Sequence, residues 1–274
     1  MPADLLFSFT GFGTTSRRQI EVAVYNGRQG SGVNFLIAQP DSHGKVTQKA
    51  IVPAHVDFVV NTLRNVVLGK DGVRICFVEH ILAAAALWGA DDLVIEVNGP
   101  EIPLGDGSAG FWIKLFEQSG LKRKTPKPVF SLGAPHVVSK GDRQIIALPS
   151  ERFSITYLID WQHPMIGKRW CSWNAEEPVD LIADARTFSS QNEQQILGLD
   201  DDFVSLTEDG FSKPLRFEDE PVRHKLLDIF GDLTLCGVNP LAIKAQFISI
   251  KGGHELDIQM ARSLLRQGFT KIEG

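Results

Sequence analysis

"PVRHKLLDIFGDLTLCGVNPLAIKAQFISI", residues 221–250, contains the pattern that decides the fold, because residues 77–97, "FVEHILAAAALWGADDLVIEV", repeat its plan. Each stretch runs from Val-x-His into an apolar helical segment, a glycine and then a β-branched strand. Glycines and a second amphipathic helix follow both stretches, at residues 105–120 and 252–268. The repeat predicts two halves of similar plan within one chain.

Short alternating strands bounded by Gly, Asn and Pro are predicted in both halves, for example "QIEVAVYNG" at 19–27 and "RFSITYLIDW" at 152–161. Between the halves, "LKRKTPKPVF" at 121–130 concentrates basic residues and prolines, as linkers do. We therefore predict an α+β fold with two similar α+β domains, at residues 1–122 and 128–274. If they pack as a layered sandwich, the two Val-x-His helix starts meet at the interface and form the active site there.

Composition excludes several classes of function. The 274 residues are 43% apolar and 22% charged, with a net charge of -5, so they give no basic field for non-specific nucleic-acid binding. The longest apolar run, "ILAAAALW", is too short to span a bilayer, and the N-terminus has no targeting pattern. Three widely separated cysteines argue against both a disulfide framework and a thiolate metal cluster. We expect a cytoplasmic, monomeric protein without an integral membrane segment.

The second Val-x-His helix carries His224, Asp228 and Asp232 in one row. Residues at i, i+4 and i+8 lie near one face of an α-helix, so His224 and Asp228 can point at a common centre. An imidazole and a carboxylate one turn apart suit zinc, and a catalytic zinc site uses three protein ligands. His80, at the equivalent place in the first half, is the candidate third ligand. Its neighbour Glu79 is a candidate general base.

Simpler interpretations stay open for each of these residues. A His-x-x-x-Asp pair on a helix is often a salt-bridged surface pair, and a glutamate in a first helical turn is favoured by the helix dipole. The coincidence favours the site, since two of the seven histidines occupy equivalent places and both have carboxylates at suitable spacing. His254, in "IKGGHELD", suits either an ordinary helix start or a catalytic imidazole on a tight loop.

Five motifs in order then resemble one enzyme family. They are "VEHILAAAALWG", "NGPEIPLGDGSAGF", "ARTF", "LRFEDEPVRHKLLDIFGDL" and "GGHEL". Together they are similar to the UDP-3-O-acyl-N-acetylglucosamine deacetylases, the metal-dependent enzymes of the committed step of lipid A synthesis. The resemblance covers residues from about 8 to 266, and the family fold, two similar α+β domains around one site, agrees with the repeat.

The resemblance implies a zinc-dependent amide hydrolase that acts on a UDP-linked acylated amino sugar and releases acetate. It assigns the metal, zinc or alternatively iron(II), to His80, His224 and Asp228. It further implies that Glu79 is the general base. His254 would be a protonated histidine that stabilises the oxyanion and protonates the leaving amine, and Asp232 would orient its imidazole.

The resemblance also implies three contacts with the substrate. The Thr187 hydroxyl would polarise the amide carbonyl, Phe188 would contact the sugar, and Lys225 would contact the diphosphate.

Two departures from the family pattern bear on the substrate. The N-terminal loop reads "GFGTTSRRQ", without the usual histidine, and the segment at 189–214 is shorter than the family insert that walls the acyl passage. A deacetylase with an abbreviated acyl tunnel is the first hypothesis. A paralogous deacetylase of another N-acetylated amino sugar is the second, and a non-catalytic metal-binding regulatory protein on this scaffold is the third. The complete catalytic set argues against the third.

Overall fold

Five α-helices lie in the part of the chain that the computed structural model describes, residues 4–40, 46–190 and 204–272. Helix α1 follows Val78, and the left-handed Gly89 ends it; the Ser108 side chain accepts a hydrogen bond from the Phe111 N–H and so caps α2. The helices are α1 (Glu79–Trp88), α2 (Ala109–Gln118), α3 (Asp180–Ala183), α4 (Glu220–Leu233) and α5 (His254–Gln267).

Strands β1 to β8 come from the N-terminal half and form two sheets. Their bounds are β1 (Leu5–Phe12), β2 (Gln19–Asn26), β3 (Val33–Pro40), β4 (Val46–Pro53), β5 (Val59–Asn61), β6 (Val67–Lys70), β7 (Val73–Cys76) and β8 (Leu93–Val97). The larger sheet has the order β1-β2-β8-β3-β4, and β5-β6-β7 form a small separate sheet. Strand β8 runs antiparallel to β2 and parallel to β3.

Strands β9 to β18 come from the C-terminal half. Their bounds are β9 (Phe130–Ser131), β10 (His136–Lys140), β11 (Arg143–Pro149), β12 (Ser154–Trp161), β13 (Gly167–Asn174), β14 (Phe188–Ser190), β15 (Val204–Thr207), β16 (Gly210–Phe211), β17 (Ile243–Ile250) and β18 (Thr270–Lys271). The main path of the larger sheet is β10-β11-β17-β12-β13, while β9 pairs with β17 and β18 pairs with β9. Strand β17 runs antiparallel to β11 and parallel to β12.

The two large sheets therefore share one topology. In each, the central strand is the one that follows the Val-x-His helix, and it is antiparallel to one neighbour and parallel to the other. A parallel neighbour requires a crossover connection, which the helices provide. The α+β fold and the repeat expected from the sequence are confirmed.

The helices pack against one another between the sheets. Helix α1 contacts α2 and α4, while α4 lies on β12 and β13 and α5 lies on β10 and β11. Residues Glu79 to Leu87 of α1 are all buried, which explains its alanine-rich sequence. On the C-terminal side, the ring of Phe230 from α4 meets that of Phe153 at 5.5 Å between centroids. Burying one such ring contributes about 1.5–3 kcal/mol.

The predicted linker contains no helix or strand from residue 121 to 129. Its start is fixed to the end of α1, where the Trp88 indole N–H donates to the Leu121 carbonyl at 3.0 Å and Lys124 N donates to the Trp88 carbonyl at 2.9 Å. Each large sheet uses strands from one side of this segment only. The domain limits at 1–122 and 128–274 stay predictions. Within the described ranges, no helix has both the length and the apolar composition to cross a membrane.

The shortened segment at 189–214 contributes to a small sheet. Strands β14 and β15 pair in parallel, and β16 pairs antiparallel with β15. Residues 191–203, which connect β14 to β15, lie outside the described residues. Half of the segment that was predicted to leave the acyl passage less walled therefore lies outside the described residues.

Candidate active site

Helices α1 and α4 bring the two Val-x-His motifs together in the interior. The imidazole rings of His80 and His224 lie 4.9 Å apart between centroids at 80° to each other. Asp228 lies one turn after His224, and all three side chains are buried. Their ligand atoms lie within 4.8 Å of one another, so this set could hold a metal ion.

The orientation of these three residues suits metal binding. The Nε2 atoms of His80 and His224 lie 3.5 and 3.2 Å from Asp228 Oδ1, so both rings direct the same nitrogen toward one carboxylate. The other nitrogen of His224, Nδ1, donates to the Ala185 carbonyl at 3.0 Å. A hydrogen bond of this kind fixes the ring and leaves Nε2 as the free ligand atom, as in known zinc sites.

Electrostatics favour the metal-binding protonation states of His224 and Asp228. Burial lowers the pKa of His224, which favours the neutral imidazole that a metal needs. Burial would raise the pKa of Asp228, but His224 and Lys225 outweigh it and hold that pKa well below its usual range. Lys225 donates from Nζ to Asp228 Oδ2 at 2.6 Å.

Glu79 lies beside this set at the start of α1. Its side chain is buried, and its Oε2 accepts a hydrogen bond from Val66 N at 3.2 Å. The residue also lines the cavity described below, next to His80. This position suits a general base that reaches a water near the three residues that could hold a metal.

His254 and Asp232 form a buried pair on the other side of the cluster. His254 Nδ1 lies 2.7 Å from Asp232 Oδ2. Burial alone would lower the pKa of His254, but Asp232 outweighs it and raises the pKa to about 10. Burial raises the pKa of Asp232 to about 6, which still leaves it ionised at neutral pH. The raised pKa favours a protonated His254, and the residue lines the cavity described below.

The backbone just before two of these helices is in a sparsely populated conformation. Phe77 and Lys251 have φ values of 59° and 53°. Phe77 precedes the start of α1 by two residues, and Lys251 precedes α5 by three. Non-glycine residues adopt this left-handed region rarely, and such residues cluster at functional sites. The tight turns direct both helix starts, with His80 and His254, into one cavity.

The segment with Thr187 and Phe188 forms the opposite wall. Thr187 N donates to the Gly107 carbonyl at 2.7 Å. The Phe188 ring lies 6.4 Å from the His224 ring and 5.4 Å from that of Trp161. The ammonium of Lys225 lies 5.8 Å from the centroid of Phe188. The ammonium group of Lys225 thus faces Asp228 and Phe188. A contact between Lys225 and a diphosphate stays a prediction.

The cavity between these walls has a volume of about 320 Å³. Eight of the nine predicted site residues line it, and Asp232 lies behind His254. The remaining lining residues come from both halves of the chain: Thr14, Thr15, Arg64, Asn65, Phe77, Leu104, Trp161 and Ser189. The loop that lacks the family histidine therefore contributes two threonines. Glu101 holds it by accepting hydrogen bonds from Thr15 N at 3.0 Å and Ser16 N at 2.6 Å.

Asp257 is a buried acid that the sequence reasoning missed. Ligand atoms of Asp232, His254 and Asp257 lie within 4.8 Å of one another, and neither Asp257 oxygen has a hydrogen-bond partner among the described residues. Burial and Asp232 raise its pKa well above the usual range, which favours the neutral acid. Its place three residues after His254 was the available signal, because i and i+3 share a helix face.

Comparison with known proteins gives consistent matches over most of the chain. Residues 5–266 match the family described as UDP-3-O-acyl N-acetylglycosamine deacetylase. A protein of Trichormus variabilis named UDP-3-O-acyl-N-acetylglucosamine deacetylase is 35% identical over 274 residues, which cover 93% of this chain and 94% of the relative. Proteins of the same name are 34% identical in Thermosynechococcus vestitus, over 79% of each chain, and 35% identical in Histophilus somni, over 93% of this chain and 86% of the relative.

Proposed function

Since the chain belongs to the UDP-3-O-acyl N-acetylglycosamine deacetylase family, we propose that it hydrolyses the N-acetyl group of a UDP-3-O-acyl-N-acetylglucosamine in lipid A biosynthesis. Acetate and a free amine are the products. One observation carries the proposal. The His80, His224 and Asp228 cluster opens into the same cavity as a buried carboxylate, Glu79, and a protonated imidazole, His254.

We propose that His80, His224 and Asp228 hold zinc, or iron(II), through two Nε2 atoms and one carboxylate. Two imidazoles and a carboxylate are a usual ligand set for catalytic zinc. When bound, the ion would polarise the amide carbonyl as a Lewis acid and lower the pKa of a water toward neutrality. The pairing of His224 Nδ1 with Ala185, which leaves Nε2 free, supports this assignment.

The residues of the chain supply the proton transfers. Glu79 accepts a proton from the attacking water as it adds to the amide carbon. His254 starts protonated, stabilises the negative charge that develops on the carbonyl oxygen, and then donates its proton to the leaving amine nitrogen. Asp232 keeps the imidazole oriented and cationic, which the distance of 2.7 Å between its Oδ2 and Nδ1 supports.

Thr187 and Phe188 position the substrate in this proposal. The Thr187 hydroxyl would donate a hydrogen bond to the carbonyl oxygen, and the Phe188 ring would contact the sugar. Both residues line the cavity beside His224. Lys225 would attract the diphosphate while it also pairs with Asp228.

We also propose a cytoplasmic location and a monomeric state. Cys76, Cys171 and Cys236 are all free thiols, as is usual in a reducing compartment. All nine predicted site residues come from a single chain, so the site needs no second copy.

Acetate release tests the function directly. The metal-loaded protein should release acetate from UDP-N-acetylglucosamine that carries a 3-O-acyl chain, with much lower kcat/KM on the unacylated sugar. Equal kcat/KM on both sugars would instead favour a deacetylase of another amino sugar. An absence of acetate from either one, with metal content confirmed, would contradict the proposed enzyme.

A further inference from the structure

Glu220, the first residue of α4, is a buried carboxylate outside the cavity. It is 1% exposed, so both its oxygens depend on protein partners. Oε1 accepts from Arg186 N at 2.9 Å and from Arg186 Nε at 2.8 Å. Oε2 accepts from Arg186 Nη2 at 3.1 Å and from Arg216 N at 2.6 Å. Burial would raise its pKa, but Arg186 outweighs it and lowers the pKa, so Glu220 stays ionised.

These contacts hold the segment that carries Thr187. Three consecutive residues are fixed through the backbone: the Ala185 carbonyl by His224 Nδ1 at 3.0 Å, Arg186 N by Glu220, and Thr187 N by the Gly107 carbonyl at 2.7 Å. Two of the three anchors, His224 and Glu220, belong to α4. The position of Thr187 is thus tied to the helix that carries two of the proposed metal ligands.

Arg216 extends the same network to the N-terminal half. Its Nη2 donates to Asp106 Oδ2 at 2.7 Å, and its Nη1 donates to the Asp184 carbonyl at 2.9 Å. Asp106 in turn accepts from the Ser108 hydroxyl at 2.6 Å, at the N-cap of α2. The residue that follows Asp106 is Gly107, whose carbonyl accepts from Thr187 N. The contacts of Glu220 with Arg186 and those of Arg216 with the loop at Asp106 and Gly107 therefore converge on the backbone at Thr187.

We propose that Glu220 is a positioning residue that sets the place of the Thr187 hydroxyl relative to the ligands on α4. The inference rests on the proposed function, because it assumes that Thr187 acts on the amide carbonyl. Glu220 itself touches no substrate. Its carboxylate matches the guanidinium of Arg186 and two backbone N–H groups at once, a combination that a neutral amide cannot satisfy. Loss of this match releases Arg186 and lets the adjacent Thr187 shift, and small misplacements in an active site lower turnover strongly.

The test is a double-mutant cycle on the metal-loaded full chain. Thr187→Val removes the hydroxyl and should lower kcat by roughly 10²-fold, the scale of a lost oxyanion donor. Glu220→Gln should lower kcat by about 10-fold, with KM and metal content unchanged. Glu220→Gln in the Thr187→Val background should cause no further loss, because its effect acts through Thr187. Asp219→Asn is the matched control, since Asp219 is the preceding carboxylate and pairs with Arg223 away from Thr187. It should leave kcat unchanged.

The other possible results of the double-mutant cycle each decide either the role of Glu220 or that of Thr187. If the two losses multiply, Glu220 does not act through Thr187 and the inference is wrong. If Thr187→Val turns over like the wild type, the role of Thr187 fails and the inference falls with it, while acetate release by the wild type still supports the deacetylase. If Glu220→Gln does not fold, Arg186→Lys replaces it in the cycle, since lysine keeps the charge but cannot pair with both oxygens. Arg186→Lys should then cause no further loss of kcat in the Thr187→Val background.

Discussion

Gly231 of α4 lies directly against the backbone carbonyl oxygen of Glu79 in α1. A Cβ atom at residue 231 would stand 2.3 Å from that oxygen, closer than any real contact allows. The absence of a side chain therefore lets α1, which carries the proposed base and one proposed metal ligand, approach α4, which carries the other two ligands. The sequence "LLDIFGDL" contains this glycine inside a helix, where it otherwise weakens the structure.

Gly231→Ala should consequently destabilise the protein and lower its activity. The added methyl group must push α1 and α4 apart, and overpacking of this kind costs about 1–3 kcal/mol. Thermal unfolding should show a fall of several degrees, at roughly 2–4 °C per kcal/mol. Gly133→Ala is the control, because a Cβ there meets its nearest atom at 3.7 Å. Equal melting temperatures for both variants would contradict the close approach.

Metal binding should depend on the three clustered ligands. The purified protein should contain about one zinc or iron(II) per chain, and His80→Ala or Asp228→Ala should lower the occupancy severely. His55→Ala serves as control, since His55 is a partly exposed histidine at the start of a 3-10 turn. Elemental analysis after dialysis measures the content. Full occupancy in both ligand variants would refute the assignment.

Glu79 should be needed for turnover and not for metal binding. Glu79→Gln keeps the size of the side chain and an acceptor for Val66 N, but it cannot accept a proton. We expect kcat to fall by roughly 10²-fold or more with metal content unchanged. Steady-state kinetics beside elemental analysis checks this. A variant with near-normal kcat would exclude Glu79 as the base.

The protonation of His254 should set the alkaline limb of the pH profile. Because its pKa is raised to about 10, the required imidazolium is present below that pH and is lost as the pH rises through it. Asp232→Asn removes the main cause of the raised pKa, after which burial lowers it. The alkaline limb of kcat should then move to lower pH, and the variant should regain activity as the pH falls. His254→Ala should lose roughly 10²-fold at every pH. An unmoved limb in Asp232→Asn would rule out this coupling.

Acyl-chain selectivity should be weaker than a full tunnel would give. Each buried methylene contributes about 0.8 kcal/mol, and the shortened segment at 189–214 should bury fewer of them. We expect kcat/KM to rise over the first few carbons of the acyl chain and then level off. A series from no acyl group to about fourteen carbons measures this. A steep rise that continues to the longest chain would show that other residues rebuild the tunnel wall.

Local patterns predicted most of the fold. The alternating segments at 19–27 and 152–161 form β2 and β12, and the glycine-flanked apolar segments form α1, α2, α4 and α5. The repeat also predicted that His80 and His224 would meet. The small sheet β5-β6-β7 was not predicted, because its short strands carry no strong alternation.

The supporting contacts of the site could not be predicted from spacing. Glu220 and Arg186 are 34 residues apart, and Arg216 and Asp106 are 110 apart. Nothing in the local sequence distinguishes Glu220 from Glu218 or Asp219. The arginine that pairs with the buried Glu220 comes near it only when the chain folds. Asp257 was missed for the same reason. Its spacing places it on the same helix face as His254, but its burial depends on the packing of α5 against α4, which spacing alone does not report.

The shared strand order of the two large sheets gives this single chain the architecture of a fused homodimer. A half-length ancestor that paired with itself would place the same Val-x-His motif on both sides of its symmetry axis, and so two imidazoles in one cleft. The two halves of this chain differ within that frame. One half carries Glu79 beside its histidine, and the other carries Asp228 and Asp232 along its helix. The asymmetry that separates a base from an acid thus lies within a nearly symmetric arrangement of strands and helices.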